Sequence, residues 1–264
     1  MAPVAVLATA AAMLIGQVSA AAATYTSNTT GYDISYPQCN TVYPSGQFGI
    51  VGVNAGYPFT YYNSCFTSEW AHAAPNRSLY INTGYDPSYT NIDTRHSTQD
   101  CVNSSAVISG NAAQQRAWAV GCSEAQRSAA YASCQDPTLA NPCATTVAPA
   151  AWWLDVETGN SWCGQSGTSC TDLSLNQYTI QGILDTVHRL SNAPVGVYST
   201  SYQWSAIVGS NPILFSGIAA DWLATGLRSA KRARQYCSSA GFTGSAPIWL
   251  VQYVPGGYDA DYAC

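Results

Sequence analysis

Seven short apolar runs, separated by stretches long enough to be helices, set the strongest constraint on how this chain folds. They are "GYDISYP" (31–37), "FGIVGVNAG" (48–56), "SLYINTGY" (78–85), "AWWLDVE" (151–157), "PVGVYST" (194–200), "SGIAADWLA" (216–224) and "PIWLVQYV" (247–254). Several are continuously apolar rather than alternating, the pattern of strands covered on both faces in a parallel sheet. Helical spacing is clearest in "SLNQYTIQGILDTVHRLS", where Ile180, Ile183, Leu184, Val187 and Leu190 form one apolar stripe and Ser174 stands where a cap belongs. "TSEWAHAA", "NAAQQRAWAVGCSEAQRSAAYASCQ" and "SAKRARQYC" are the other helical candidates. Strand and helix in repetition predict an α/β fold, and about 240 residues suit a closed TIM-like (β/α) barrel. A doubly wound open sheet is the alternative, but no G-x-G-x-x-G opens a helix after the first strand, so a dinucleotide site has no support.

Residues 1–23 combine an apolar stretch of about a dozen residues with small residues suited to cleavage, and read as a signal peptide; the stretch is too short for a bilayer span of roughly 20 residues. Residues 24–264 then form a single domain, expected to be monomeric, secreted and free of membrane once the signal is cut. The ten cysteines fit an oxidising compartment and five disulfides. Cys163 with Cys170, Cys134 with Cys143 and Cys237 with Cys264 are the short-range pairings expected, and Cys101 and Cys122 would anchor the polar excursion 86–112. No C-x-x-C occurs and His72, His96 and His188 are scattered, so neither a metal site nor a cofactor is expected. A net charge of −5 leaves no basic surface for nucleic acid, and "SAKRAR" reads as a solvated helix face.

Only 9% of the residues are charged, against roughly 25% in a usual soluble protein, so each carboxylate is informative. Asp33, Asp155 and Glu157 fall at or near the ends of strands, where a parallel barrel carries its chemistry. Alternation turns Trp153, Asp155 and Glu157 toward the barrel interior, and Leu154 and Val156 toward the helices. The two acids then stand roughly 6 to 7 Å apart, judged by strand rise. Burial and mutual repulsion would raise at least one pKa, and a protonated acid beside an ionised one is what glycoside cleavage requires. The plainer reading is a pair of acids that cap helices or meet surface arginines.

"GYDIS", "WWLDVE", "VGVYSTSYQW", "DWLA" and "WLVQYVPGGYDADYA" occur in the order seen in glycoside hydrolase family 25, the Chalaropsis-type lysozymes. The chain resembles that family over nearly all of residues 24–264. The resemblance implies an irregular TIM-like barrel that cleaves the β-1,4 bond between N-acetylmuramic acid and N-acetylglucosamine in peptidoglycan, without cofactor or metal. It makes Glu157 the general acid/base and Asp155 the carboxylate that orients the substrate's N-acetyl group, so that the sugar itself is the nucleophile. Asp33 and Asp259 match the two further acids of the site, with Asp261 competing for the last position. Asn54, Tyr198 and Gln252 become sugar contacts, and Tyr85 and Trp153 candidates to stack on a sugar face, as do Tyr57, Phe59, Tyr61, Tyr62, Tyr89, Trp162 and Tyr202.

The family's second strand commonly ends in a lysine and a T-E-G turn, whereas here it reads "VGVNAGYPFTYYNSC"; its compact third-strand aromatic motif is replaced by "SLYINTGYD" and the excursion. These departures point to a divergent, disulfide-rich branch. They also keep open a second reading, a secreted barrel that binds wall glycan without cutting it.

Overall fold

The computed structural model describes residues 24–55, 61–73, 75–86, 98–213, 215–244 and 246–264. Each of the seven apolar runs supplies a strand: β1 (Thr30–Ile34), β2 (Gly49–Gly52), β3 (Arg77–Asn82), β4 (Trp152–Asp155), β5 (Val195–Ser199), β6 (Ile218–Leu227) and β7 (Ile248–Tyr253). They pair in parallel in sequence order. An eighth strand, β8 (Asp259–Ala263), runs antiparallel between β7 and β1 and closes the barrel. Its direction follows from chain length. Only residues 254–258 separate it from β7, too few for the dozen or more a parallel crossover needs, so the chain turns back through Gly257 at φ +81°. The fold is therefore the expected TIM-like barrel in an irregular form, and closure rules out the open sheet.

Side chains alternate between two apolar layers. Tyr25, Phe48, Ile50, Trp153, Trp222 and Leu250 fill the barrel, while Ile34, Val51, Ile81, Trp152, Leu154 and Val197 face the helices. Trp153 and Leu154 thus point as strand alternation requires. Gly196 makes room for the first of them, since a methyl group there would overlap the Trp153 ring. Among the described residues the helices are α1 (Phe66–His72), α2 (Gln99–Ser105), α3 (Ala112–Gln135), α4 (Leu173–Leu190), α5 (Ser201–Val208) and α6 (Ala230–Ala233). Ile180, Ile183, Leu184 and Val187 of α4 are buried as expected. Its cap is Asp172, whose carboxylate accepts from the Ser174 amide, and not Ser174 itself. The stretch expected as one helix at 229–237 is instead the single turn α6 continued by a 3-10 turn over Arg234–Ser238.

All ten cysteines are paired: Cys39–Cys65, Cys101–Cys122, Cys134–Cys143, Cys163–Cys170 and Cys237–Cys264. The second joins α2 to α3 and ties down the excursion, of which residues 87–97 lie outside the described residues. The expected signal peptide lies outside them too. No described helix is long and apolar enough to cross a membrane.

Candidate active site

The C-terminal ends of the parallel strands open onto a cavity of about 230 Å³. Strand register decides who meets there. Asp155 ends β4, flanked by its partners Asn82 on β3 and Tyr198 on β5. Asp33 on β1 lies opposite Asp259, the first residue of β8, because that strand runs the other way. Glu157 follows two residues beyond Asp155. Asp33, Asp155, Glu157 and Asp259 all line the cavity, and no Lys, Arg or His is among its described lining residues. Neither does any group of three or more described His, Cys, Asp or Glu side chains have an arrangement that could hold a metal ion.

Three of these acids meet a side-chain amide. Asn82 Nδ2 donates to Asp155 Oδ2 at 2.9 Å. Tyr198 donates its hydroxyl to Gln252 Oε1 at 2.9 Å, which turns the Gln252 amide so that Nε2 donates to Asp33 Oδ2 at 3.0 Å. Gln203, on the first turn of α5, accepts from the Thr158 backbone N–H at 2.8 Å and therefore points Nε2 at Glu157 Oε1, 3.4 Å away. Because an N–H must meet an oxygen, these hydroxyl and backbone donors fix which end of the Gln252 and Gln203 amides faces the acid.

Burial is the main reason that the acids hold their protons unusually strongly, and their mutual repulsion adds to it. Asp33 is pushed up to about 7 by burial and then by the Asp259 charge, against the Gln252 hydrogen bond. Asp155 is raised well above the carboxylate range by burial and then by Glu157 and Asp33. Glu157 is raised by burial, with donation from Gln203 and Asp155 pulling it back. The two carboxyls lie close enough for each to act on the other's proton affinity. Asp155 Oδ1 is buried and accepts from no described donor.

This arrangement has a consequence for folding. An Asp33 carboxyl that titrates near 3.8 when unfolded and near 7 when folded binds more protons in the native state between those values. Its stabilising effect is full below the lower value and lost as pH rises through the upper one. The midpoint of urea unfolding is expected to fall between pH 4.5 and 8, and Asp33→Asn to flatten that fall and raise the midpoint at pH 8. A native midpoint that climbed over the same range would contradict the assignment.

The other residues singled out by the sequence divide. Tyr198 and Gln252 line the cavity. Asp261 does not: it is buried inside the barrel beneath Asp33 and accepts from Trp222 Nε1 at 2.8 Å. Asp259 is therefore the acid of the two that faces the cavity. Asn54 is turned away and spent on the backbone, donating to the Asn82 carbonyl at 2.7 Å and accepting from its N–H at 2.8 Å, so it braces the strand end that carries Asn82. Trp153 is wholly buried, with its indole N–H on the Tyr25 hydroxyl at 2.9 Å, and Tyr85 is buried in the helix-side core. None of these last three lines the cavity. Trp162 is also buried, Tyr61 and Tyr202 are exposed, and Tyr57, Phe59 and Tyr89 lie outside the described residues.

Sequence reasoning passed over Tyr80, Asn82 and Trp222, together with the turn at Ser35, Tyr36 and Pro37, all of which line the cavity. The signal for the first two was present. In "SLYIN" they stand two apart on a strand, and they register with Trp153 and Asp155. Gln203 had no such signal, because its helix brings it back to Glu157 from 46 residues away.

No family model matches the chain, and no curated protein sequence matches it. Solved structures match its shape. A muramidase from Acremonium alcalophilum gives a TM-score of 0.55 at 17% identity, over 89% of this chain and 93% of that one. A bacterial lysozyme from Streptomyces coelicolor gives 0.52 at 15% identity, over 90% and 93%. A family GH25 lysozyme from Aspergillus fumigatus gives 0.51 at 15% identity, over 89% and 93%. At such identities the likeness is one of fold.

Proposed function

We propose that this chain is a divergent member of glycoside hydrolase family 25, exported and monomeric, that cleaves the β-1,4 bond between N-acetylmuramic acid and N-acetylglucosamine in peptidoglycan. The observation that carries the reading is the convergence of Asp33, Asp155, Glu157 and Asp259 on one cavity at the strand ends. Five disulfides fit an oxidising, extracellular setting.

In the proposed reaction Glu157 gives its proton to the glycosidic oxygen as the bond to the anomeric carbon breaks. The carbonyl oxygen of the sugar's own N-acetyl group bonds to that carbon, and Asp155 accepts the hydrogen bond of the amide N–H. Water, deprotonated by Glu157, then adds at the anomeric carbon and reopens the ring, which restores the acid. This is a substrate-assisted departure from the two-carboxylate scheme. An amide N–H donated to Asp155 stabilises that carboxylate as an anion, and the negative charge beside it helps Glu157 keep the proton that the leaving group needs.

Incubating the purified chain from residue 24 with cell walls is expected to release new reducing ends. Glycan affinity without any release would favour the non-cutting reading instead. Gln203 supplies a finer check. Its donated hydrogen bond stabilises ionised Glu157, so Gln203→Ala is expected to move the alkaline limb of the kcat/KM profile to higher pH, with the optimum rate changed less than about tenfold. An unmoved limb would show that the amide does not set the proton affinity of Glu157.

A further inference from the structure

The cations of this chain are not spread over its surface. Arg228, Lys231, Arg232 and Arg234 are four of its nine Lys and Arg residues, gathered within seven positions of a protein whose net charge is −5. All four are exposed, and none makes an ion pair or side-chain hydrogen bond with a described residue. Acids on the strands nearby do not neutralise them: Asp221 is buried and held by Thr243, Asp261 is buried inside the barrel, and Asp259 faces the cavity. Like charges this close repel one another, a cost that an anionic partner would remove.

Their position is as informative as their charge. β6 runs on past the level of the cavity, where Ala224 pairs with Gln252, as far as Leu227, whose carbonyl accepts from Val254 N at 2.6 Å. Arg228 thus leaves the barrel at the cavity rim, and the patch descends the outer wall from there. Its mount is firm. Ala233 is buried against β7 and β8, and the 3-10 turn that follows is stapled through Cys237 to Cys264 at the chain's end. Cations on an anchored turn lose little freedom on binding.

We propose that residues 228–234 form a docking surface for a phosphodiester-bearing polymer attached to the cell wall, which holds the protein beside the glycan its cavity receives. The inference rests on the cell-wall reading above. Three of the four cations are arginines, whose forked donors match phosphate oxygens. The patch also leads away from the cavity, so it reaches material lying beside the glycan strand rather than carboxylates on that strand. Phosphodiesters stay ionised at the acidic pH where the cavity acids hold their protons, so docking and cleavage share a pH range.

Sedimentation with purified walls, before and after hydrofluoric acid strips their phosphodiester polymers, tests this in a Glu157→Gln background so that hydrolysis does not intervene. The chain is expected to bind intact walls at least tenfold more tightly than stripped ones, and combined Arg228→Gln, Lys231→Gln, Arg232→Gln and Arg234→Gln to remove that difference. The slope of log affinity against log salt is expected to shrink by about 3, as four contacts give on a single-stranded polyphosphate. With Glu157 intact, the same four changes should leave reducing-end release from stripped walls unaltered, and lysine at the three arginine positions, which keeps the charge and loses the forked donors, should weaken binding to intact walls but less than glutamine does. Equal binding to both walls, or undiminished binding by the fourfold variant, would overturn the proposal. A native chain that released no reducing ends would sink the enzymatic reading, while the wall comparison still decided this one.

Discussion

Glu157→Gln is expected to lower the release of reducing ends by roughly two to four orders of magnitude, the range spanned by a general acid/base. The substitution keeps the side chain's size and its ability to meet the Gln203 amide, but it removes the proton that the glycosidic oxygen must receive. Glycan affinity should survive it, because an amide still fills the place of the carboxyl. Asp155→Asn makes the informative companion. It too should slow turnover, because a neutral amide oxygen holds the N-acetyl N–H more weakly than a carboxylate does. The two variants should therefore differ in pH dependence: Asp155→Asn changes the polar partner of Glu157 and leaves an acid to titrate there, whereas Glu157→Gln leaves no titrating acid at the leaving group. Should Glu157→Gln release as many reducing ends as the native chain, the catalytic assignment would be wrong.

How far the site was legible in the sequence depends on which interaction placed each residue. Asp155 and Glu157 were legible because strand alternation is local: once "AWWLDVE" is a strand, their direction follows from two-residue spacing. Asp33 and Asp259 came from the order of motifs along the chain, but choosing Asp259 over Asp261 needed the strand direction of β8. In a five-residue strand the two positions share a face, and only the antiparallel return puts Asp259 at the cavity end and Asp261 in the interior. Asn54 was misjudged for a related reason. Its place at the end of β2 is where a ligand contact belongs, yet its amide is consumed by the exposed edge of Asn82, a pairing between strands that no local pattern announces. The barrel itself was largely readable, since seven apolar runs become seven strands. The eighth was not, because "DADYA" carries two acids and lacks the continuous apolar character that marked the others.

Trp153→Ala puts the sharpest of these distinctions to the test, and is expected to cost about 3 to 5 kcal/mol of folding stability, the range for emptying a buried aromatic site. As a sugar contact, Trp153 would raise KM when truncated and leave stability nearly untouched. Its surroundings argue the opposite. The ring lies between Tyr25 and Trp222, with centroids at 6.4 and 5.6 Å, over a glycine that leaves no slack, and its N–H is spent on the Tyr25 hydroxyl. Truncation opens a void in the floor directly below Asp155 and removes one of the two partners of that buried hydroxyl, leaving it Ser78 at 2.6 Å. A domain whose total stability is about 5 to 15 kcal/mol would lose a large part of it. Urea unfolding with the disulfides intact measures the loss, and the kcat/KM of whatever fraction stays folded separates the two roles. A midpoint within error of the native value, together with a raised KM, would return Trp153 to the substrate and mean that the barrel floor is not where this structure has it. The floor matters to chemistry as well as to folding, because the proton affinity of Asp155 comes first from burial. Water admitted from below would lower that affinity, so the acidic limb of the folded fraction of Trp153→Ala should move to lower pH than that of the native chain.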